Sequence, residues 1–265
     1  MSERPIGIFD SGVGGLSILK AIQEHLPNEN LLYFADSRYA PYGTLDEAIL
    51  KQRCLFIADF FAKQDAKAMV IACNTATALM AEWLRAEYDI PIIAIEPAIK
   101  PAATISKTRK IGVFATEHTL NSERYQSLKD RFAQKVQVFE SACQGFVEQV
   151  EKGELDTLET ISLIEQNLLP MLDQQIDTLV LGCTHYPFLS KAIKIVAASQ
   201  ALTIVDNADA VSLQLTRILA ENNLLNLQDH TANRYFSSSD AQQLHQVMSQ
   251  LMLEETEVEY VADQQ

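Results

Sequence analysis

The stretch Ile6-Gly7-Ile8-Phe9-Asp10-Ser11-Gly12-Val13-Gly14-Gly15 decides the fold. Its first four residues form a short apolar run, which predicts a buried strand, and the glycines after it predict a tight turn. Apolar residues at helical spacing follow from Leu16 to Leu26, so this part of the chain reads as strand, loop and helix. Further short apolar runs alternate with helical patterns along the rest of the chain. This alternation predicts an α/β fold with parallel sheets built from βαβ units.

The positions of the predicted elements follow from the same patterns. A capping-box pattern at Thr44-Leu45-Asp46-Glu47 predicts the start of a helix that runs to about Gln64. Other helical patterns cover residues 144–152, 155–174, 208–222 and 240–251. The predicted strands are residues 6–9, 31–35, 68–72, 91–95, 110–114, 136–140, 178–182 and 202–205, with weaker strand-like pieces at 234–237 and 257–261.

The second half of the chain resembles a copy of the first. Residues 6–11 align with 111–116 at an offset of 105, and residues 70–75 align with 180–185 at an offset of 110. Buried parallel strands are all β-branched runs, so any two βα units can look alike without a repeat. A true repeat predicts two similar lobes, which would form one cleft if they face each other. Cys73 and Cys183 would then occupy equivalent positions on opposite walls of that cleft.

The composition excludes several classes of protein. Lys and Arg number 21 and Asp and Glu number 35, which gives a formal net charge of −14 over 265 residues. This charge opposes phosphate contacts, so we expect no nucleic-acid partner. No apolar run reaches the roughly 18 residues of a membrane span, and the first residues lack the apolar stretch of a secretory signal. We therefore expect no membrane association and a cytoplasmic location.

Two of the four cysteines stand out by their surroundings. No pair of cysteines has C-x-x-C spacing, so we expect neither a redox motif nor a zinc ribbon. A lone buried cysteine is most often a small hydrophobic residue. The triplets Cys73-Asn74-Thr75 and Cys183-Thr184-His185, however, each follow a predicted strand, at the end where open α/β sheets bind ligands. We expect both thiols at helix N-termini, where the helix dipole lowers the pKa of a thiol.

Two further features leave alternatives open. His185 could be a base, a partner of Cys183, a zinc ligand, or a histidine bonded to the backbone at a helix start; no spaced set of zinc ligands is visible. The glycine-rich turn after Asp10 could present backbone N–H groups to an anion or be a purely structural turn. We assign no role to the other four histidines, which are His25, His118, His230 and His245.

In combination, these segments resemble the glutamate racemases, which are cofactor-independent enzymes. The matching segments span residues 7–187 in the order found in the family. They are Gly7-Ile8-Phe9-Asp10-Ser11-Gly12-Val13-Gly14-Gly15-Leu16-Ser17, Pro41-Tyr42-Gly43, Cys73-Asn74-Thr75-Ala76, Glu96-Pro97, Ala115-Thr116 and Leu181-Gly182-Cys183-Thr184-His185-Tyr186-Pro187.

The resemblance implies an isomerase that interconverts L- and D-glutamate without cofactor or metal and supplies D-glutamate for peptidoglycan. Such a reaction removes a proton from Cα and returns one to the opposite face, which demands one deprotonated and one protonated group. No lysine in these loops suggests a pyridoxal phosphate Schiff base. An aspartate or related racemase, or a two-lobed module that binds a small anion without catalysis, remains the alternative. Members of the family often form homodimers.

The resemblance also implies the domains and the roles of individual residues. It implies two flavodoxin-like parallel-sheet lobes with the active site in the cleft between them. The first lobe would be residues 1–97 plus 208–265, and the second 98–207. Cys73 and Cys183 would be the acid/base thiols, assisted by Asp10 and His185, with Glu151 supporting His185. Glu148 or Glu154 could be that acid instead, because many members carry Cys-Pro where this chain has Cys143-Gln144. The substrate would be held by Asp10, Ser11, Tyr42, Gly43, Asn74, Thr75, Thr116, Thr184 and His185.

Overall fold

The computed structural model describes residues 2–198, 200–228, 231–252 and 257–262. His230, to which the sequence assigned no role, lies outside these ranges. The chain folds into two compact units, of which the first comprises Met1–Ile95 with Ala208–Gln265 and the second comprises Glu96–Asn207. The chain therefore leaves the first unit after Ile95, builds the second unit, and then returns to complete the first.

Both units are α/β structures with parallel sheets, as predicted. In chain order the strands are β1 (Ile6–Asp10), β2 (Leu31–Ala35), β3 (Ala68–Ile71), β4 (Ile92–Ala94), β5 (Lys110–Ala115), β6 (Gln137–Ala142), β7 (Thr178–Leu181), β8 (Thr203–Val205), β9 (Arg234–Ser237) and β10 (Val258–Tyr260). The sheet of the first unit has the order β10-β9-β2-β1-β3-β4, and that of the second has the order β6-β5-β7-β8.

Helices connect successive strands and cover the sheets. They are α1 (Leu16–His25), α2 (Glu47–Lys63), α3 (Asn74–Glu87), α4 (Ile99–Ile105), α5 (Glu117–Asn121), α6 (Glu123–Phe132), α7 (Phe146–Glu151), α8 (Leu158–Asp173), α9 (Ser190–Ala197), α10 (Ala208–Glu221) and α11 (Ala241–Met252). Within the described ranges, no helix is both long enough and apolar enough to cross a membrane.

The register of strand pairing supports the internal repeat. β1 lies between β2 and β3, and β5 lies in the same way between β6 and β7. Gly7 pairs with Met69 in the first sheet, and Gly112 pairs with Leu179 in the second. The offsets of 105 and 110 seen in the sequence carry the first pair onto the second. Shared β-branched composition alone does not fix the register, so the two sheets repeat one βαβ pattern.

Burial on both faces explains why the central strands were readable from the sequence. Every residue of β1, β2, β3 and β7 is buried, as expected for parallel strands covered by helices. The packing is close at two equivalent glycines. A Cβ at Gly7 would lie 2.5 Å from a ring carbon of Phe61, and one at Gly112 would lie 2.7 Å from Cδ1 of Ile176.

The predicted start of α2 was wrong by two residues, because the helix is preceded by Asp46 and not by Thr44. Thr44 does not cap this helix but ends a 3₁₀ turn, Tyr42–Thr44, in which its hydroxyl donates to the carbonyl of Pro41 at 3.0 Å. The residue that precedes the helix is Asp46, whose side chain makes no capping hydrogen bond. A capping box is only one use of a Thr three residues before a Glu, since threonine side chains also bond locally in turns.

Candidate active site

Cys73 lies at the N-terminus of α3, as predicted. The chain emerges from β3, Ala72 donates its N–H to the carbonyl of Phe9 at 2.8 Å, and Cys73 then takes the position before the first helical residue. Its sulfur accepts a hydrogen bond from the backbone N–H of Ala76 at 3.5 Å. The positive end of a helix stabilises a thiolate over a thiol. This surrounding equips Cys73 to act as a base.

Asn74, the first residue of α3, has unused hydrogen-bonding capacity. The residue is 5% exposed. Within the part of the chain that the structure describes, neither its carboxamide oxygen nor its nitrogen has a hydrogen-bond partner. Buried polar atoms are nearly always paired, so an unpaired carboxamide beside a candidate catalytic thiol suits a ligand. Thr75, which follows, is also buried.

The glycine-rich turn holds a carboxylate of this chain. Asp10 is fully buried, and its Oδ2 accepts the N–H of Gly15 at 2.9 Å and that of Gly12 at 3.4 Å. The hydroxyl of Tyr33 donates to the carbonyl of Gly12 at 2.6 Å. A Cβ at Gly15 would lie 2.7 Å from Cβ of Asp10, so the turn needs glycine there. Two of the N–H groups considered for an external anion therefore already serve Asp10, next to the buried Ser11.

Tyr42 and Gly43 form the 3₁₀ turn that precedes α2. Tyr42 is buried, and its hydroxyl donates to Oδ2 of Asp36 at 2.5 Å. Burial, together with the charge of Asp36, raises the pKa of Tyr42 well above its usual value, so the phenol stays neutral. Because the hydroxyl donates its proton to Asp36, it can only accept a further hydrogen bond.

The prediction that Cys183 also lies at a helix N-terminus was wrong. Cys183 follows β7 in a bend, a 3₁₀ turn follows at Tyr186–Leu189, and α9 begins only at Ser190. Tyr186 and Leu189 are both fully buried. Residues three apart lie on one side of a 3₁₀ turn, so this turn buries both side chains together. Cys183 is buried, and its sulfur lies 3.7 Å from Nδ1 of His185.

His185 links Cys183 to a carboxylate. Its Nε2 lies 2.6 Å from Oε1 of Glu151, the last residue of α7, so Glu151 rather than Glu148 or Glu154 occupies this position. Burial lowers the pKa of His185, but the hydrogen bonds to Cys183 and Glu151 and their charges outweigh it and raise the pKa well above its usual value. A doubly protonated imidazole donates from both nitrogens, one toward Cys183 and one to Glu151.

These contacts decide between the alternatives for His185. Both ring nitrogens face side chains, so neither is left for a bond to the backbone. Among the described residues, no group of three or more His, Cys, Asp or Glu side chains is arranged to hold a metal ion. The arrangement therefore favours His185 as the partner of Cys183.

The remaining predicted residues, Thr116 and Thr184, belong to the second unit. Thr116 directly follows β5 and caps α5, since its Oγ1 accepts the N–H of Thr119 at 3.2 Å. Thr184 is buried next to Cys183. The candidates of the first unit lie at or after the carboxyl ends of β1, β2 and β3, and Thr116 and Cys183 of the second unit follow β5 and β7. Parallel sheets bind ligands at this end.

The other two cysteines have surroundings of a different kind. Cys54 lies in the hydrophobic core of the first unit, and Cys143 donates its S–H to the carbonyl of Ser141 at 3.5 Å. Burial raises the pKa of both thiols. Both sulfurs therefore stay protonated at neutral pH and are poor bases.

Sequence reasoning missed Asp36 and Arg53, a buried ion pair whose carboxylate accepts a hydrogen bond from the hydroxyl of Tyr42. Arg53 bonds Asp36 through two nitrogens, at 2.9 and 2.8 Å. One signal in the sequence could have found it. Arg53 occupies a buried position of α2 together with Leu50 and Ile57, and an arginine in the apolar phase of a helix rarely lies there without a buried acid.

Comparison with known proteins identifies the family. The model of the Asp/Glu/Hydantoin racemase family matches residues 8–213. A glutamate racemase from Ectopseudomonas mendocina (strain ymp) is 44% identical over 258 residues, which cover 97% of this chain and 98% of the relative. The crystal structure of glutamate racemase from Francisella tularensis subsp. tularensis SCHU S4 in complex with D-glutamate has a TM-score of 0.85 and 30% identity, covering 99% of this chain and 98% of that one.

A second solved structure has the same level of similarity. Escherichia coli glutamate racemase in complex with L-glutamate and the activator UDP-MurNAc-ala has a TM-score of 0.85 and 30% identity, with 98% of each chain covered. These similarities extend over nearly the whole chain, including both sheets and both cysteine segments. The chain belongs to the Asp/Glu/Hydantoin racemase family, in its glutamate racemase group, and is an isomerase.

Proposed function

We propose that the chain interconverts L- and D-glutamate by two-base proton transfer at Cα, with Cys73 and Cys183 on opposite faces of the substrate. One thiolate removes the Cα proton while the other thiol donates a proton to the opposite face. The roles exchange when the reaction runs backward. Asp10 assists Cys73, and His185, held by Glu151, assists Cys183.

The observation that carries this proposal is the equivalence of the two thiols. Each lies two residues beyond the end of a strand, after β3 and after β7, and these strands pair with β1 and β5 in the same register. A duplicated binding unit needs no thiol in either copy, whereas a racemase needs an acid/base group in both. The N-terminus of α3 at Cys73 also favours the negative charge that develops on the substrate when Cα loses its proton.

The remaining residues named for the site are proposed to bind glutamate. The unpaired carboxamide of Asn74 supports this role, because it offers one acceptor and two donors to an amino acid. Relatives of known structure bind D-glutamate and L-glutamate, which supports glutamate over aspartate. The other proposed contacts are Asp10, Ser11, Tyr42, Gly43, Thr75, Thr116, Thr184 and His185.

The experiment that tests the activity follows the circular dichroism of a substrate solution with time. Purified protein is added to L-glutamate, and separately to L-aspartate, with no cofactor or metal supplied. The circular dichroism of the glutamate solution should decay to zero, while that of aspartate should persist. Decay of aspartate alone would assign the chain to a different substrate, and no decay of either would exclude racemisation.

The cellular role and the assembly belong to the same proposal. D-Glutamate made in the cytoplasm would supply peptidoglycan synthesis, and homodimers would be consistent with other members of the family. Depletion of the protein should then be rescued by external D-glutamate, and sedimentation of purified protein should give twice the mass of one chain. Growth that D-glutamate does not restore would separate the enzyme from cell-wall synthesis.

A further inference from the structure

A buried charged cluster lies at the end of β2 in the first unit. Asp36 directly follows β2, and Arg53 lies on α2. Their side chains are 0% and 8% exposed. Arg53 donates from Nε to Oδ2 of Asp36 at 2.9 Å and from Nη2 to Oδ1 at 2.8 Å. This two-point geometry fixes the orientation of both groups, as a single contact from a lysine would not.

Aromatic rings complete the cluster. The guanidinium carbon of Arg53 lies 4.2 Å from the ring centroid of Tyr39 and 4.6 Å from that of Phe56. The hydroxyl of Tyr42 is a third donor to Asp36, at 2.5 Å. One carboxylate thus joins the end of β2, helix α2 and the turn that contains Tyr42 and Gly43.

Stability alone does not account for an ion pair at this place. Burying two charges costs about as much as their attraction returns, and apolar side chains of similar size are often as stabilising. Leu50 and Ile57, on the same face of α2, illustrate the apolar alternative. A buried ion pair with two hydrogen bonds, however, fixes the relative orientation of its two side chains, which apolar packing leaves adjustable.

The cluster is connected to the candidate active site on two sides. The backbone N–H of Asp36 donates to the carbonyl of Asp10 at 3.0 Å. Tyr42 belongs to the same packed core cluster as Cys73. The ion pair thus connects the backbone of Asp10, the residue that is proposed to assist Cys73, with the turn that is proposed to bind glutamate.

We propose that Asp36 and Arg53 are positioning residues that act through Tyr42 to hold the Tyr42–Gly43 turn in the geometry that binds glutamate. This inference rests on the proposed function, because it takes the turn to be part of the substrate site. Neither side chain is proposed to touch the substrate. Their loss should therefore weaken binding of glutamate more than it slows the proton transfers at the thiols.

The first test separates KM from kcat. Arg53→Met keeps the length and apolar contacts of the side chain, and it should raise the KM for glutamate about tenfold or more while kcat changes less than about threefold. Arg53→Lys, which keeps the charge without the two-point contact, should fall between this variant and the wild type. Tyr42→Phe removes only the hydroxyl, and it should raise KM in the same direction.

A matched control removes another buried ion pair of the same unit. Lys67 and Glu29 are both buried, 2.5 Å apart. Lys67→Met should lower the midpoint of unfolding by urea without changing KM. If Lys67→Met raises KM as much as Arg53→Met does, the effect is a general loss of stability and the positioning role is wrong.

The second test asks whether Arg53 acts through Tyr42. Residues that act in series are not additive, so the double variant of Arg53→Met and Tyr42→Phe should raise KM no more than the larger single effect. Additive effects on the logarithm of KM would overturn the proposal, as would an unchanged KM in Tyr42→Phe. An inactive wild-type protein would instead overturn the proposed function, so the two failures are distinguishable.

Discussion

At the scale of the residue, the two proposed catalytic thiols differ in how they are activated. Cys73 accepts an N–H at the start of a helix, whereas Cys183 lies beside an imidazole that Glu151 holds. The proposed activating group is the backbone dipole of a helix at Cys73 and the charge of a side chain at Cys183. In the proposed reaction, the two proton transfers therefore depend on different residues, although the thiols are equivalent in the repeat.

The first prediction concerns the thiols themselves. Cys73→Ser and Cys183→Ser should each remove nearly all racemisation, because a serine hydroxyl is a far weaker acid than a thiol and is scarcely ionised at neutral pH. Serine preserves the size of the side chain, so the fold should persist. Turnover of L- and D-glutamate by each purified variant is the measurement. Wild-type turnover in either variant would show that its thiol is not an acid/base group.

Cys54→Ala and Cys143→Ala provide the matched controls. Both thiols are buried, and burial raises the pKa of each. Their loss creates cavities, so activity should decline only in step with stability. Loss of turnover in well-folded Cys54→Ala would mean that the catalytic pair has been assigned incorrectly.

The second prediction concerns pH. The contacts with Cys183 and Glu151 raise the pKa of His185, so this imidazole stays protonated through neutral pH. Glu151→Gln removes one of these charges, and the pKa of His185 should fall. The alkaline limit of kcat/KM should then move to lower pH, and turnover at neutral pH should drop by about tenfold or more. Glu148→Gln and Glu154→Gln should leave the pH profile in place; a shift with either of them, but not with Glu151→Gln, would reassign the acid.

At the scale of the element, strands were predicted better than helix starts. The buried central strands are continuous apolar runs, and an apolar run needs no knowledge of its partner to be recognised. The starts of helices depend on local alternatives of similar energy. Thr44 bonds within a turn rather than to a helix, and the residues after Cys183 wind into a 3₁₀ turn first.

The site was partly predictable for the same reason. Residues at the end of a strand or just beyond it, such as Asp10 and Cys73, are located once the strands are known. Contacts between distant segments are not: Glu151 and His185 are 34 residues apart, and Asp36 and Arg53 are 17 apart. The pattern of one sequence does not pair such residues, and family resemblance supplied Glu151 but not Arg53.

The third prediction compares the two copies of the repeat. A Cβ at Gly7 meets the rigid ring of Phe61, whereas one at Gly112 meets the flexible ends of Ile176 and Met171. Gly7→Ala should therefore destabilise the protein more than Gly112→Ala, with overpacking costs of about 1–3 kcal/mol. Unfolding by urea at equilibrium measures both. A larger loss for Gly112→Ala would contradict the described packing at Gly7.

At the scale of the whole molecule, the net charge of −14 opposes an anionic substrate. Local donors must outweigh this long-range repulsion, and salt screens the repulsion over a Debye length of about 10 Å at 0.1 M. Raising the ionic strength from about 0.01 to 0.1 M should therefore lower the KM for glutamate modestly. Steady-state kinetics at several concentrations of NaCl measure the effect. A marked rise in KM over this range would mean that exposed cations dominate binding.

The duplication gives the molecule one proposed thiol in each unit, and the central claim is that these thiols act as two independent bases. The most direct test is racemisation of L-glutamate in heavy water, with Cα deuterium measured in both enantiomers at low conversion after chiral separation. The thiol that donates has exchanged with solvent, so the early D-glutamate should carry deuterium while the unreacted L-glutamate carries almost none. D-Glutamate as the starting material should give the mirror result. Substantial protium in the early product would contradict two independent bases, even if Cys73 and Cys183 both proved essential.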